Sequence, residues 1–172
     1  MSIVVCPLSR VADMVAQYKP ARVISMLDPD SAFPELGPHY AERHLRLRFH
    51  DIQFPAPNLV MPSPEHIREL IRFVTAWNGS DSILIHCRAG ISRSTAAAYI
   101  AACFAHPDTD EHDLATALRR ASPLARPNET IIELADQQMG RNGRMRAAIA
   151  NTGRNLPWIE VEESEPFSMS VM

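Results

Sequence analysis

One nine-residue segment constrains the fold of this chain more than any other, because it joins a strand end, a tight loop and a helix start. Residues 86–94 read His-Cys-Arg-Ala-Gly-Ile-Ser-Arg-Ser. The apolar run 82–85 before them predicts a buried strand, and the alanine-rich run 94–102 predicts a helix. A loop that runs from a strand into a helix N-terminus binds anions, because free backbone N–H groups and the helix dipole both favour negative charge.

The side chains of this segment fit the chemistry of phosphate transfer. We expect Cys87 to be a nucleophile, since helix N-termini and nearby arginines favour the reactive thiolate. Arg93 would bind two phosphate oxygens in a planar fork that lysine cannot reproduce. Gly90 would allow the loop to turn sharply, and Ser94 would donate a hydrogen bond to the sulfur and help it leave. We expect His86 to brace the loop backbone and to add positive charge beside the sulfur.

The backbone between the cysteine and the arginine would form the cradle for the phosphate. The residues of this cradle are Arg88, Ala89, Gly90, Ile91 and Ser92, followed by Arg93 itself. The alternative is a buried structural cysteine next to an unrelated arginine, since cysteine is common in cores. The strand, loop and helix order around the segment favours the phosphate site.

The loop resembles the signature His-Cys-x-x-Gly-x-x-Arg-Ser/Thr of the cysteine-dependent protein tyrosine phosphatase superfamily. Its interior, Ala-Gly-Ile-Ser-Arg-Ser at 89–94, is most similar to the dual-specificity branch. The resemblance implies a phosphocysteine intermediate on Cys87 and a grip on the phosphate by Arg93. It extends to the Pro-Asn pair at 127–128, where the branch has an asparagine whose side chain steadies the phosphate loop. Asn128 is the matching position, and it also fits the N-cap of the helix that follows.

A phosphatase of this kind also needs a general acid for the leaving oxygen. Asp51 is our candidate, because it follows the predicted strand 44–49 at the start of a proline-rich connection. Its place before the nucleophile is similar to that of the acid in the dual-specificity branch. Asp28 and Asp30 are its rivals, since they end a neighbouring strand at the same expected sheet edge. A plain turn residue is the structural alternative for Asp51.

Predicted strands and helices alternate along the chain. Strands are predicted at 3–6, 21–27, 44–49 and 82–85, and helices from about residue 9, from residue 64, and at 94–102, 110–120 and 129–139. This order predicts an α/β fold, with a mainly parallel central sheet flanked by helices on both faces. The phosphate loop would lie between a central strand and a helix. Polar residues alternate with apolar ones from His44 onward, which predicts a half-exposed strand.

The C-terminal part of the chain carries fewer signals. We predict one phosphatase-like catalytic domain over residues 1–155 and a flexible tail over 156–172. The tail is rich in glutamate, so the alternative is a segment that docks a partner. The stretch 141–154 has four arginines and no acid, which predicts a solvated face.

Composition excludes several classes of protein. The 172 residues carry a net charge of −3, which does not favour nucleic-acid binding, and no apolar run is long enough to span a membrane. Cys6, Cys87 and Cys103 form no paired motif, which favours a reducing, cytoplasmic compartment. Cys6 and Cys103 are expected in the core, and either could resolve an oxidised Cys87. The histidines show no metal-ligand spacing, so we expect no metal and no cofactor.

The predicted function is that of a phosphomonoester hydrolase that acts on phosphotyrosine, and also on phosphoserine or phosphothreonine, in proteins or peptides. A phosphoinositide or inositol phosphate phosphatase is the main alternative, although this loop holds no lysine. A non-catalytic module that binds phosphoproteins is a second alternative, and an intact Cys87 argues against it. A sulfurtransferase is a third, and Arg93 argues against it because guanidinium suits phosphate.

Overall fold

Strands and helices alternate through most of the molecule, as the sequence predicts. The computed structural model describes residues 2–77, 79, 81–153, 157 and 160–170. The strands are β1 (Ser2–Pro7), β2 (Arg22–Leu27), β3 (His44–Arg48), β4 (Ser82–Cys87) and β5 (Phe167–Met169). The helices are α1 (Val11–Tyr18), α2 (Pro64–Thr75), α3 (Arg93–Ala105), α4 (Glu111–Ala121), α5 (Glu129–Gln138) and α6 (Arg144–Thr152).

The strands form one sheet in the order β3-β2-β4-β1-β5, with β4 at its centre. β1, β2, β3 and β4 run parallel, and β5 pairs antiparallel with β1. The predicted mainly parallel α/β sheet is therefore confirmed. The carboxyl ends of parallel strands meet at one edge, which is where such sheets bind ligands. Cys87 ends β4 at this edge, and Asp28 and Asp51 follow β2 and β3 there.

Helices cover both faces of the sheet, as predicted. α1 packs Val11 and Met14 against Val4, Cys6 and Leu84 on one face. α2, α3 and α5 contribute to the larger core on the other face. α3 is buried on all sides from its first turn to Cys103, because its alanines are small enough for neighbouring elements to approach closely.

α2 begins where the sequence predicts, and it packs into the larger core. The Ser63 side chain accepts a hydrogen bond from the backbone N–H of His66, and Pro64 occupies the first turn. Both features favour a helix start at this point. Ile67 and Leu70 are fully buried in the larger core, against which β4 also packs.

α6 was not predicted, because the signal for its start is far away in the sequence. Its N-cap is Gly143, at φ +84°, which provides no capping side chain. The Asp136 carboxylate instead accepts hydrogen bonds from the backbone N–H groups of Gly143, at 2.6 Å, and Met145, at 2.8 Å. A carboxylate at a helix N-terminus is favourable for the helix dipole.

The expectation of a solvated arginine face over 141–154 holds for Arg144 and Arg146, which are exposed, and is wrong for Arg141, whose side chain is only 12% exposed. Arg141 and Arg144 each lie 3.0 Å from the carboxylate of Glu111, which is buried. Arg141 also donates to the carbonyl of Cys103 at 2.8 Å. Arg154 lies outside the described residues.

The chain after residue 160 also differs from the predicted flexible tail. β5 adds a strand at the edge of the sheet, opposite residues 3–5 of β1. Glu163 accepts a hydrogen bond from Ser9 at 2.8 Å, and Glu165 pairs with Arg10 at 3.3 Å. At least these two glutamates therefore contact the chain's own N-terminal region. Within the expected tail, residues 156, 158, 159, 171 and 172 lie outside the described residues.

Candidate active site

The loop after Cys87 is held from outside by three distant segments of the chain. Each of its five carbonyl groups, from residue 88 to residue 92, accepts a hydrogen bond from a group outside the loop. The donors and acceptors are Leu8 N to Arg88 O (3.1 Å), Ser164 N to Ala89 O (2.9 Å), Ser164 Oγ to Gly90 O (3.1 Å), Arg126 N to Ile91 O (2.9 Å) and Asn128 N to Ser92 O (3.3 Å).

These contacts orient the backbone amides of the loop. In a trans peptide unit the C=O and N–H bonds point in opposite directions. Because the carbonyls of residues 88–92 point outward, the N–H groups of residues 89–93 point toward the centre of the loop. Five converging amides at the N-terminus of α3 form an anion site.

Gly90 permits the close packing of this loop. Its φ of +74° lies in the left-handed region, and a Cβ there would lie 2.6 Å from Ser164 Oγ and 2.9 Å from the backbone nitrogen of Pro7. Glycine is therefore required by both conformation and space. The sequence pattern identified the turn but not Ser164, which is 74 residues away and belongs to no motif.

Cys87 lies at the base of the loop with its sulfur next to a hydroxyl group. Only 2% of the residue is exposed. Its Sγ is 3.2 Å from Ser94 Oγ in the first turn of α3, and Ser94 is fully buried. A hydroxyl at this distance can donate a hydrogen bond to a thiolate.

Arg93 is 4% exposed and is only partly paired. One of its terminal nitrogens donates to Asp28 Oδ1 and to the carbonyl of Phe49, both at 2.7 Å. Its Nε is buried and has no hydrogen-bond partner among the described residues. A buried donor without a partner costs free energy, and an oxygen atom of a bound phosphate would supply one.

Asp51 lies directly against the loop. Its Oδ1 accepts hydrogen bonds from Ser92 Oγ, at 2.7 Å, and from Asn128 Nδ2, at 2.9 Å. The residue as a whole is exposed. Two of the three aspartates considered from the sequence therefore contact the site, Asp51 through Ser92 and Asp28 through Arg93. Asp30 lies in the exposed turn after β2.

Asn128 connects the loop, the Asp51 segment and α5. Its Oδ1 accepts from the N–H of Ile131, at 3.1 Å, and caps α5. Its Nδ2 donates to Asp51 and to the carbonyl of Ile52, at 3.2 Å. The resemblance implied that this side chain steadies the phosphate loop. In the structure the backbone N–H does so, and the side chain holds Asp51.

His86 braces the site but is not the positive charge that the sequence suggested. Its Nδ1 is 3.3 Å from the carbonyl of Cys87, and its Nε2 is 2.5 Å from Ser25 Oγ, which is also 2.6 Å from Nε2 of His44. Burial lowers the pKa of His86 to about 4, so the ring is neutral at physiological pH. His44 was predicted on an exposed face, but it is buried, and burial also lowers its pKa to about 4.

Two hydrogen bonds between His50 and Val60 join the ends of the segment that carries Asp51. The backbone N–H of His50 donates to the carbonyl of Val60, and the N–H of Val60 donates to Nδ1 of the His50 ring, both at 2.8 Å. The residues between them include Phe54, which is 78% exposed. An exposed apolar side chain therefore follows Asp51 by three residues in the sequence.

The other two cysteines are poorly suited to resolve an oxidised Cys87. Cys6 packs with α1 on the opposite face of the sheet, and burial together with the charge of Cys87 raises its pKa to about 12. Burial also raises the pKa of Cys103 to about 12. Both thiols stay protonated at physiological pH, and a protonated thiol is not a nucleophile.

The described part of the chain lacks two features that would change the interpretation of the site. It contains no group of three or more His, Cys, Asp or Glu side chains that could hold a metal ion. It also contains no helix that is both long enough and apolar enough to cross a membrane.

A central strand that ends in a cysteine, a loop of converging amides and a helix that begins with a buried arginine define a protein of the cysteine-dependent phosphatase class. The sequence model of the protein-tyrosine phosphatase family matches residues 38–127, more than half of the chain. The chain therefore belongs to this family. No sequence among the curated proteins matches it.

Solved structures with the same fold are dual-specificity phosphatases and their relatives. DUSP15 superposes with a TM-score of 0.60 at 20% identity, over 90% of this chain and 92% of its own. The human tyrosine phosphatase-like serine/threonine/tyrosine-interacting protein has a TM-score of 0.61 at 16% identity, over 81% and 92%. PTPMT1 in complex with PI(5)P has a TM-score of 0.59 at 14% identity, over 81% and 94%. The resemblance to the cysteine-dependent phosphatases is confirmed by the family match, and the likeness to the dual-specificity phosphatases is one of fold.

Proposed function

We propose that this protein hydrolyses phosphomonoesters of proteins through a phosphocysteine intermediate on Cys87. The observation that carries the proposal is the combination of five inward amides with the buried Nε of Arg93, which has no partner within the described part of the chain. A phosphoryl group has three terminal oxygens that accept such donors. The same donors bind the transition state, in which negative charge spreads over these oxygens.

In the first step the Cys87 thiolate attacks phosphorus, and the bond from phosphorus to the leaving oxygen breaks. Asp51 gives a proton to that oxygen, so that an alcohol or phenol leaves. Its fixed position against Ser92 and Asn128 supports this role. The products of the step are the free alcohol and a phosphoryl group on sulfur.

In the second step water attacks the phosphocysteine. The Asp51 carboxylate takes a proton from this water, and the bond from sulfur to phosphorus breaks. The hydroxyl of Ser94 donates a hydrogen bond to the departing thiolate, and the 3.2 Å distance supports that role. Inorganic phosphate leaves and the thiolate is restored. Each step uses side chains and backbone amides of this chain together with water.

The test of the proposal is turnover of an aryl phosphate by the purified protein and by Cys87→Ser. We expect turnover by the wild type and none above background by the variant, because a serine hydroxyl is not ionised at neutral pH. Mass spectrometry of a rapidly quenched reaction should find a phosphoryl group on Cys87, and Ser94→Ala should increase the trapped fraction. Substantial turnover by Cys87→Ser would disprove the covalent mechanism.

A phosphoinositide phosphatase is the second candidate. PTPMT1, solved in complex with PI(5)P, shares the fold, although at 14% identity. Arg88, in the loop itself, is exposed and could meet a second phosphate. Parallel assays with phosphotyrosine peptides, phosphoserine peptides and soluble phosphoinositides separate the candidates. We expect the highest kcat/KM on a peptide.

A further inference from the structure

The residue before the candidate acid, His50, fixes the turn that carries Asp51 through three hydrogen bonds. Its backbone N–H donates to the carbonyl of Val60 at 2.8 Å, and its carbonyl accepts from the N–H of Ile52 at 3.0 Å. Its ring Nδ1 accepts from the N–H of Val60 at 2.8 Å. Because the bond from Ile52 reaches back only two residues, Asp51 lies at the centre of a three-residue turn.

The side-chain contacts of Asp51 fix only one of its two carboxyl oxygens. Ser92 Oγ and Asn128 Nδ2 both donate to Oδ1, at 2.7 Å and 2.9 Å. Two donors on one atom hold that atom in place, but the direction of Oδ2 still depends on where the Asp51 backbone lies. A general acid transfers its proton only within hydrogen-bond reach of the leaving oxygen. The backbone of the turn therefore determines whether Asp51 reaches that oxygen.

The chain that follows Asp51 is held against α5. Asn128 Nδ2 donates to the carbonyl of Ile52, and Thr130 Oγ1 donates to the carbonyl of Gln53, both at 3.2 Å. These contacts support the turn from its far end. The histidine before the acid supplies the support at its near end, so the turn is held on both sides.

The ring contact depends on the chemistry of His50, whereas its two backbone contacts do not. Any residue other than proline supplies the backbone N–H, and every residue supplies the carbonyl. The N–H of Val60 requires an acceptor at the δ position of the side chain, and Nδ1 accepts only when it carries no hydrogen. His50 is half-buried and Val60 is exposed, so water can replace the ring as the partner of this N–H. Loss of the ring should therefore change the position of the turn more than the stability of the fold.

We propose that His50 is a positioning residue for the general acid: its ring holds the turn at which the Asp51 carboxyl group faces the leaving oxygen. This proposal rests on the proposed function, because a positioned acid matters only if the chain hydrolyses phosphomonoesters. The proton moves from Asp51 to the leaving oxygen. His50 gives up no proton and contacts no reacting atom.

The test compares His50→Asn with His50→Leu. Both side chains branch at Cγ, but asparagine places an acceptor oxygen where Nδ1 lies and leucine places a methyl group there. In His50→Leu we expect kcat for phenyl phosphate to fall by about threefold to tenfold, the worth of one hydrogen bond, with KM unchanged. His50→Asn should stay near the wild-type value. The phosphate ester of a strongly acidic phenol should be hydrolysed at the wild-type rate by both variants, because that phenolate leaves without a proton.

A third variant controls for the loss of a histidine as such. His112→Leu removes an exposed histidine of α4, and it should leave both rates at the wild-type values. Equal losses for both esters in His50→Leu would overturn the proposal, because the ring would then act on phosphate binding or on the fold. Equal losses for phenyl phosphate in His50→Leu and His50→Asn would also overturn it, because the acceptor would then have no effect.

Amide exchange with water, measured by NMR in Cys87→Ser, tests the contact without turnover. Adding His50→Leu should raise the exchange rates of Ile52 and Val60 severalfold, and adding His50→Asn should restore them. Unchanged exchange with leucine would overturn the proposal. Faster exchange without a change in the ratio of the two ester rates would overturn the role of His50 and leave the phosphatase intact. Hydrolysis of neither ester by the wild type would overturn the proposed function, and the exchange rates would still show whether the ring holds the turn.

Discussion

At the scale of single residues, two aspartates of the candidate site bind different partners. Asp28 neutralises part of the charge on Arg93, and Asp51 is held against the loop by Ser92 and Asn128. An aspartate that pairs with the guanidinium affects how the phosphate is bound, whatever the leaving group is. An aspartate beside the loop affects only the atom that needs a proton. Their substitution should therefore have different kinetic signatures.

The first prediction concerns Arg93→Lys. We expect kcat/KM for an aryl phosphate to fall by about 10²-fold or more, because one ammonium group cannot replace a guanidinium that contacts several oxygens. The matched control is Arg88→Lys at the exposed start of the loop, where we expect only a small change. A rate near that of the wild type in Arg93→Lys would mean that Arg93 does not bind the phosphate.

The second prediction concerns Asp51→Asn, which keeps an oxygen that can accept from Ser92. For phenyl phosphate, whose leaving oxygen needs a proton, we expect a loss of about 10²–10⁴ in rate. For the phosphate ester of a strongly acidic phenol the loss should be far smaller, because that phenolate leaves without a proton. The measurement is the ratio of the two rates in the wild type and in the variant.

Asp28→Asn is the comparison for this experiment. It removes the charge paired with Arg93, so we expect both esters to change by a similar factor. Equal losses for both esters in Asp51→Asn would instead make Asp51 structural. Asp28 and Asp30 would then be the remaining candidates for the acid.

At the scale of elements, the phosphate loop depends on segments that are far apart in the sequence. Leu8 follows β1, Arg126 and Asn128 precede α5, and Ser164 precedes β5, yet all of them bind loop carbonyls. Each of these donors holds an outward carbonyl and so keeps the next amide pointing inward. The conformation of the loop therefore depends on several segments at this edge of the sheet. Substitutions in those segments should affect catalysis.

The third prediction concerns Ser164 and Gly90. Ser164→Ala removes one hydrogen bond and should lower the free energy of unfolding by about 1 kcal/mol, with a severalfold loss of kcat. Gly90→Ala should be worse in both respects, because its Cβ would meet Ser164 Oγ and the Pro7 backbone at a left-handed φ. Adding Ser164→Ala should not rescue it, since the contact with the Pro7 backbone remains.

Urea unfolding and aryl phosphate kinetics measure these effects. Ser168→Ala is the control, because Ser168 is exposed on β5, and we expect it to behave as the wild type. Wild-type kinetics in Ser164→Ala together with a wild-type unfolding midpoint would show that the hydrogen bond from the Ser164 hydroxyl to Gly90 does not hold the loop.

The elements that sequence reasoning could predict are those with local signals. The strand before Cys87 and the start of α2 at Pro64 carry apolar runs, caps or periodic patterns within a few residues. α6 is capped from a distance by Asp136, and β5 has only three residues, so neither leaves a periodic pattern. The same distinction between local signals and distant contacts explains which site residues could be predicted. Cys87 and Arg93 share a short motif, whereas the contact of Ser164 with Gly90 arises only when the chain is folded.

At the scale of the whole molecule, a buried series of hydrogen bonds connects side chains of three neighbouring strands. Ser25 of β2 lies between His86 of β4 and His44 of β3. The contact of His86 Nδ1 with the carbonyl of Cys87 places a proton on Nδ1, so its Nε2 accepts from the Ser25 hydroxyl. His44 then donates from Nε2 to the same oxygen. This arrangement requires a neutral His86 ring, because its Nε2 accepts, whereas for His44 it is the burial of Nδ1, without a hydrogen-bond partner among the described residues, that favours the neutral ring.

The last prediction follows from that neutrality. Burial lowers the pKa of both rings to about 4 in the folded protein, whereas an unfolded histidine has its ordinary value of 6.5. Between these values the unfolded chain binds more protons, so the free energy of unfolding falls as the pH falls from 6.5 toward 4. We expect His44 to account for about 1–2 kcal/mol of the loss between pH 7 and pH 5. Urea unfolding at both values should show a smaller loss in His44→Gln than in the wild type. His112→Gln, at an exposed position of α4, should keep the wild-type dependence. An unchanged pH dependence in His44→Gln would show that a lowered pKa of His44 does not contribute to the loss of stability.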